Sequence, residues 1–305
     1  MTRLLITGIT GLLGLNLAWE AVQAGHKVVG VAGSRDLPNA PFSVLRADLS
    51  RPGALAEVWR AARPDAVVHT AALAQVDACE KQPDRAERLN AQLPGEVATL
   101  ARQDGVPLVH ISTDAVFDGR RGDYTEGDLP HPLSVYARTK LAGERAVLEA
   151  YPRAAVLRVN FFGWSLSGAR SLAEWFLNNL RAGRKMLGFT DVFFCPLLAN
   201  HLAEVILTVL ARQLSGLYHA TGSACLSKYA FGVALAERFG YDPTLIRPTS
   251  VEEAGLAARR SPRLTLRNEK LARALGRPLP DWRRGIETFW RQAQTGYPER
   301  LRAWG

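Results

Sequence analysis

The stretch Tyr136-Ala137-Arg138-Thr139-Lys140 places a phenol and an amine four residues apart, which sets one above the other on a helix face. A phenol with its ordinary pKa of about 10 is a sluggish proton donor near neutral pH, and a neighbouring ammonium that stabilises the phenolate makes it a tunable general acid. Tyr-x-x-x-Lys by itself arises often by chance. Its weight here comes from Ser112-Thr113-Asp114, which closes an apolar run upstream and delivers a hydroxyl, that of Thr113, to the carboxyl edge of a sheet. Open α/β folds hold their ligands at that edge.

A third feature stands at the amino end. Thr7-Gly8-Ile9-Thr10-Gly11-Leu12-Leu13-Gly14 follows a short apolar run and opens an amphipathic one, the strand-turn-helix setting in which a dinucleotide pyrophosphate is bound. Glycines let the backbone turn tightly and approach the phosphates, whose charge meets the helix N-terminus. Gly8, Thr10, Gly11, Leu12 and Leu13 are therefore the expected cofactor contacts. The pattern is G-x-x-G-x-x-G rather than G-x-G-x-x-G, and a turn with tight helix packing would also account for it. Past the second strand, where an acidic residue would hold the ribose hydroxyl of NAD, the chain reads Gly33-Ser34-Arg35-Asp36. Ser34 and Arg35 suit a 2′-phosphate, which a guanidinium grips in a bidentate fork, and point to NADP (NADPH). Asp36 keeps NAD possible, because a one-residue shift puts a carboxylate in the same place. Farther on, Asp48-Leu49 is either a cap over the adenine or a turn before Ser50 and Pro52.

These residues need a scaffold that gathers them at one edge. Through the first half, short apolar runs alternate with longer amphipathic ones: strands over 4–6, 27–32, 66–69, 107–112 and 154–159, helices over 12–24, 53–62, 84–102 and 135–150. That rhythm predicts an α/β fold, a doubly wound parallel sheet of the Rossmann kind, for residues 1–160. After Phe161 it loosens into helices over 170–181, 202–212, 227–239 and 269–275, with one more strand at 217–219. Residues 161–305 are expected to form a smaller, partly helical C-terminal substrate-binding lobe, with a segment of about 190–222 returning to the first domain.

Composition excludes several classes. With 47% hydrophobic and 22% charged residues in 305, the chain can bury a sizeable core and is neither disordered nor fibrous. The net charge is +9, and residues 251–305 hold 12 of the 38 bases against 6 of the 29 acids, so most of the excess is C-terminal. Without stacked aromatics interleaved among those arginines, nucleic acid is not the expected partner. Cys79, Cys195 and Cys225 are too few and too scattered for a disulfide framework or a structural zinc site, and read as idle thiols of a reducing compartment. The uncharged run from Leu4 to Trp19 imitates a secretory signal, but its glycine period and the want of a cleavage site argue against one. No later run approaches the ~18 apolar residues of a membrane span. A cytoplasmic protein without a membrane partner is expected. Phe161, Phe162, Trp164, Trp175, Phe193 and Phe194 read as packing, with one of them stacked on a base as the alternative. His69, His110, His201 and His219 read as satisfied structural histidines.

The chain resembles the extended short-chain dehydrogenase/reductases and, more narrowly, the dTDP-4-dehydrorhamnose reductase family. The resemblance runs through Thr70-Ala71-Ala72, Val76-Asp77, Glu80, Leu89-Asn90-Ala91, Ser112 to Gly119, Pro132-Leu133 into Tyr136 to Lys140, and Gly143-Glu144, then Gly216 to His219 and Arg260 to Leu271. It implies NADPH-dependent reduction of the 4-keto group of a nucleotide-linked 4-dehydro-6-deoxy sugar, dTDP-4-dehydro-L-rhamnose foremost. In that scheme Thr113 binds the keto oxygen and Tyr136 donates the proton. Lys140 lowers the Tyr136 pKa and holds the nicotinamide ribose. Ala71 and Ala72 line the cofactor, and Asn90 stands on the helix behind it. Asp114 and Phe161 flank the sugar. Arginine geometry also suits the diphosphate, so Arg259, Arg260, Arg263 and Arg267, Arg260 foremost, are either candidate ligands for it or a solvated basic face. Two positions depart from the family: Ala115 stands where a Tyr is frequent, and Phe161 where a Trp is. Asn16 replaces a glutamate through which some members hold magnesium, so no metal is expected. The β subunit of methionine adenosyltransferase resembles the same family. A non-catalytic NADP-binding regulatory subunit is thus one alternative and a sugar-nucleotide epimerase another, and a homodimer is possible.

Overall fold

The structure, a computed structural model, describes residues 2–253 and 261–305. Seven strands, β1 (Arg3–Thr7), β2 (Lys27–Ala32), β3 (Ser43–Arg46), β4 (Ala66–His69), β5 (Leu108–Thr113), β6 (Ala155–Val159) and β7 (Gly216–Ala220), make one sheet in the order β7-β6-β5-β4-β1-β2-β3. Every pairing in it is parallel. The strand order reverses between β1 and β4, the switch point at which doubly wound sheets open a crevice. The expected fold is borne out. The sequence pattern did not predict β3, whose Ser-Val-Leu-Arg is half-exposed at the sheet edge and too short for a clear alternation.

All residues of β4, β5 and β6 are buried, as parallel strands covered on both faces must be. Alternate side chains feed two cores. Leu4, Ile6, Val68 and Val109 pack with helices α1 (Leu12–Gln23) and the later Ala199–Ala211, while Leu5, Val67 and Leu108 pack with α2 (Ala54–Ala62), α3 (Leu93–Gln103) and α4 (Val135–Ala150). The helix expected over 84–102 is interrupted: Pro83–Glu87 runs into a π-helical turn, Arg88–Gln92, before α3. Such turns insert one residue and re-aim a side chain, here that of Asn90.

The chain after β6 carries helices Leu172–Arg181, Lys228–Phe239 and Trp282–Gln294 with three sets of short strands. It also overturns one expectation. Cys195 and Cys225, read as idle thiols, form a disulfide. The antiparallel pairing of Leu226–Ser227 with Phe193–Phe194 brings them to a Cα separation of 4.0 Å. Only Cys79 remains free, so the cysteine argument for a reducing compartment loses two of its three thiols. Among the described residues, no helix is long and apolar enough to cross a membrane.

Candidate active site

Because all seven strands run parallel, their carboxyl ends and the loops that follow lie along one edge. That edge collects the glycine loop after β1, Ser34 and Arg35 after β2, Ala71 and Ala72 after β4, Thr113 at the end of β5 and Phe161 after β6. Gly8 has φ of +70°, and a Cβ there would lie 2.7 Å from the Ala71 amide nitrogen, so glycine is needed for the approach of the two crevice walls. Gly11 caps α1 with no side-chain hydrogen bond, and the first turn of α1 carries no acidic residue. Bare amide donors at a helix N-terminus suit an anionic diphosphate, so the residues present fit a dinucleotide. Gly8, Thr10, Gly11 and Leu12 are half-exposed there, whereas the Leu13 side chain is buried in the core and could offer only its backbone.

At the other end of the crevice Ser34, Arg35 and Asp36 are exposed. Sequence reasoning missed Arg46, which closes β3 beside β2 and places Nη1 2.9 Å from an Asp36 carboxylate oxygen. The aspartate that argued for NAD is thus engaged by a guanidinium. Only an alignment of β3 with β2 could have revealed the pair. Asp48 accepts both the Ser50 amide and hydroxyl, at 3.0 and 2.6 Å, which makes it a turn residue, while Leu49 is buried in the core.

Ser134 caps α4 by accepting the Ala137 amide, which starts the helix two residues before Tyr136. Tyr136 is half-buried, and the Thr113 side chain is near enough to act on its phenol, so the phenol and the hydroxyl predicted to share one oxygen are neighbours. Burial pushes the Tyr136 phenol up to about 12, with the nearby Asp114 carboxylate adding to the rise. Lys140, expected to lower the Tyr136 pKa, is buried, and its ammonium donates to the Ile111 carbonyl at 2.6 Å. Burial pushes Lys140 itself down to about 8. A phenol held high keeps its proton at neutral pH, the state a proton donor needs.

Asp114 is buried and pushed up to about 6 by that burial; it accepts Asn160 Nδ2 at 2.5 Å and the Thr113 hydroxyl at 3.1 Å. It therefore orients Thr113 from behind. Ser112 donates to Glu144 at 2.5 Å, and Glu144 is gripped by both Arg158 Nε and Nη2, all of them buried. Asn90 is also internal: it accepts the Leu73 amide at 2.9 Å and donates to the Leu73 carbonyl and the Thr139 hydroxyl. It ties the loop after β4 to α4, behind the crevice. Ala71, Ala72 and Ala115 are half-exposed along the edge. Phe161 is half-buried against the core, as Phe162, Trp164 and Phe194 are buried in it, whereas Trp175 is 44% exposed. Arg260 and Arg259 lie outside the described residues. Arg263 stands on a short strand, and Arg267 pairs with Glu269 at 2.8 Å. Asn16 donates to the Leu12 and Trp164 carbonyls and accepts from the Tyr297 hydroxyl. The four histidines are less satisfied than expected, each leaving one ring nitrogen without a partner.

The family model described as the RmlD substrate binding domain matches residues 1–295. The chain belongs to this family. The likeness to dTDP-4-dehydrorhamnose reductases expected from the sequence is borne out. Among RmlD-type relatives, a probable low-salt glycan biosynthesis reductase of Haloferax volcanii is 32% identical over 90% of this chain and 93% of its own. The methionine adenosyltransferase 2 subunit beta of Xenopus laevis is 33% identical over 94% and 87%. Of solved RmlD-type structures, the dTDP-4-dehydrorhamnose reductase of Bacillus anthracis in complex with NADP superimposes with a TM-score of 0.84 at 26% identity, over 95% of this chain and 99% of that one.

Proposed function

We propose that the protein is an NADPH-dependent reductase of the 4-keto group of a nucleotide-linked 4-dehydro-6-deoxy sugar, dTDP-4-dehydro-L-rhamnose being the first candidate. The observation that carries this reading is Thr113 beside the Tyr136 phenol at the carboxyl edge of the sheet, next to buried Lys140 and across from an uncapped glycine-led helix. A reduced nicotinamide, when bound, supplies the hydride. The chain's own work is to place the keto oxygen against Thr113 and to deliver the Tyr136 proton to it. Lys140 would hold the nicotinamide ribose, and Ser34 and Arg35 the 2′-phosphate.

The test is loss of the NADPH absorbance band when purified protein meets dTDP-4-dehydro-L-rhamnose, with NADH run in parallel. Substrate-dependent loss supports the reading. NADPH binding without turnover on this or related keto sugars favours the second one, a regulatory nucleotide-binding subunit, which the 33% identity to a methionine adenosyltransferase β subunit keeps in view.

The cofactor corner yields its own prediction. Arg35→Ala removes a charge-assisted contact to the 2′-phosphate and weakens NADPH roughly tenfold or more while leaving NADH within about twofold. Fluorescence titration with both cofactors reads the difference, and equal losses would remove Arg35 from the phosphate.

A further inference from the structure

Three residues lie side by side across the centre of the sheet. Thr7 of β1 is register partner to His69 of β4, and His69 to His110 of β5. Both imidazoles are buried, and their rings stack at 5.3 Å with 21° between planes. The Thr7 hydroxyl accepts the Ala71 amide at 3.3 Å and shares a hydrogen bond with His69 Nδ1 at 2.7 Å. At the far end of the row Lys140 Nζ lies 3.5 Å from His110 Nε2, a long contact, and 2.6 Å from the Ile111 carbonyl. A buried ammonium beside two imidazoles is tolerable only if both rings are neutral. Burial and the Lys140 charge hold His69 at about 3 and His110 well below the usual histidine range. A neutral His110 with its proton on Nδ1 presents a lone pair at Nε2, where a charged ring would present a proton. The proton transfer described above uses neither ring.

We propose that His110 is a positioning residue for Lys140: its neutral ring, backed by the stacked His69, gives the ammonium a second acceptor beside the Ile111 carbonyl and fixes where its remaining N–H points. The inference rests on the reading of Lys140 as part of the catalytic set. Around Lys140 the other titratable and charged groups are His69 on β4, Tyr136 one turn earlier on α4, and Glu144 one turn later, itself paired with Arg158 of β6. Glu144 favours the ammonium, and burial opposes it. Removing the His110 acceptor withdraws support from the charged form, so the Lys140 pKa falls.

The experiment follows Lys140 directly, by NMR of protein labelled at the lysine ε-carbon, with the resonance assigned by its loss in Lys140→Arg. In His110→Phe the Lys140 midpoint moves down by about one pH unit. In His110→Gln, whose amide reaches the Nε2 position, it returns to the wild-type value. His110→Asn, too short to reach it, behaves like His110→Phe and stands in should the Phe variant not fold. The alkaline limb of kcat/KM moves with the midpoint, and kcat/KM at pH 7 falls roughly tenfold in the Phe and Asn variants. An unmoved midpoint in His110→Phe or His110→Asn overturns the proposal, as does a Gln variant that fails to restore it. The titration needs no sugar substrate, so the absence of reductase turnover would count against the proposed function and leave this result standing.

Discussion

Tyr136→Phe is expected to lower kcat by about 10²–10⁴ while leaving NADPH affinity within about twofold. The phenol neighbours Thr113, holds its proton at neutral pH and stands at the carboxyl edge, and Phe keeps its ring and packing. Its oxygen is removed without disturbing the Ser134 cap or the Lys140–Ile111 bond. Steady-state turnover on the keto sugar, set beside an NADPH binding titration, separates chemistry from binding. Full turnover in the Phe variant would show that the proton comes from elsewhere. A loss of cofactor affinity equal to the loss of turnover would make Tyr136 a binding residue rather than the acid.

The second large effect concerns stability. Arg158 and Glu144 are 3% and 4% exposed at their side chains, and Arg158 Nη2 stands 2.8 Å from the carboxylate. Taking one partner away strands a buried charge, which costs about 3–5 kcal/mol. Arg158→Met should therefore lower the Tm by roughly 6–15 °C. Glu144 also accepts the Ser112 hydroxyl, one residue before Thr113, so the loss reaches the end of β5 and turnover should fall with stability. Pairing it with Glu144→Leu removes the stranded carboxylate and should recover most of the Tm, because a buried pair contributes less than its breaking costs. Differential scanning calorimetry of the two variants decides it: an Arg158→Met Tm within about 2 °C of wild type would mean that Glu144 finds water or another partner.

Much of this architecture is legible in the amino-acid sequence. The glycine loop, the Tyr136–Lys140 spacing and the rhythm of strands and helices are local patterns, and the physics that makes them acts over a few residues. Runs such as Ala66–His69 and Leu108–Thr113 mark central strands because a parallel strand covered on both faces has no polar side to show. Edge strand β3 escapes because it is short and half-exposed. The C-terminal helix Trp282–Gln294 escapes too, although its apolar stripe of Ile286 and Phe289 is set among arginines. Asp48 illustrates the limit: Asp-x-Ser supports a turn and an adenine contact equally, and only the folded chain shows the Ser50 bonds that make the turn.

By itself, then, the sequence determined the sheet, the edge at which chemistry would gather and the residue types available there, since each follows from periodicity and short-range spacing. Tertiary structure alone decided which side chains meet. Strand register set His69 against His110 and Arg46 near Asp36; the pairing of two short lobe strands closed Cys195 on Cys225; burial turned Lys140 towards the Ile111 carbonyl and Asp114 inwards behind Thr113. Those partners are 10 to 41 residues apart in the chain, except for neighbours Thr113 and Asp114, and no local period encodes a contact closed by the packing of separate elements.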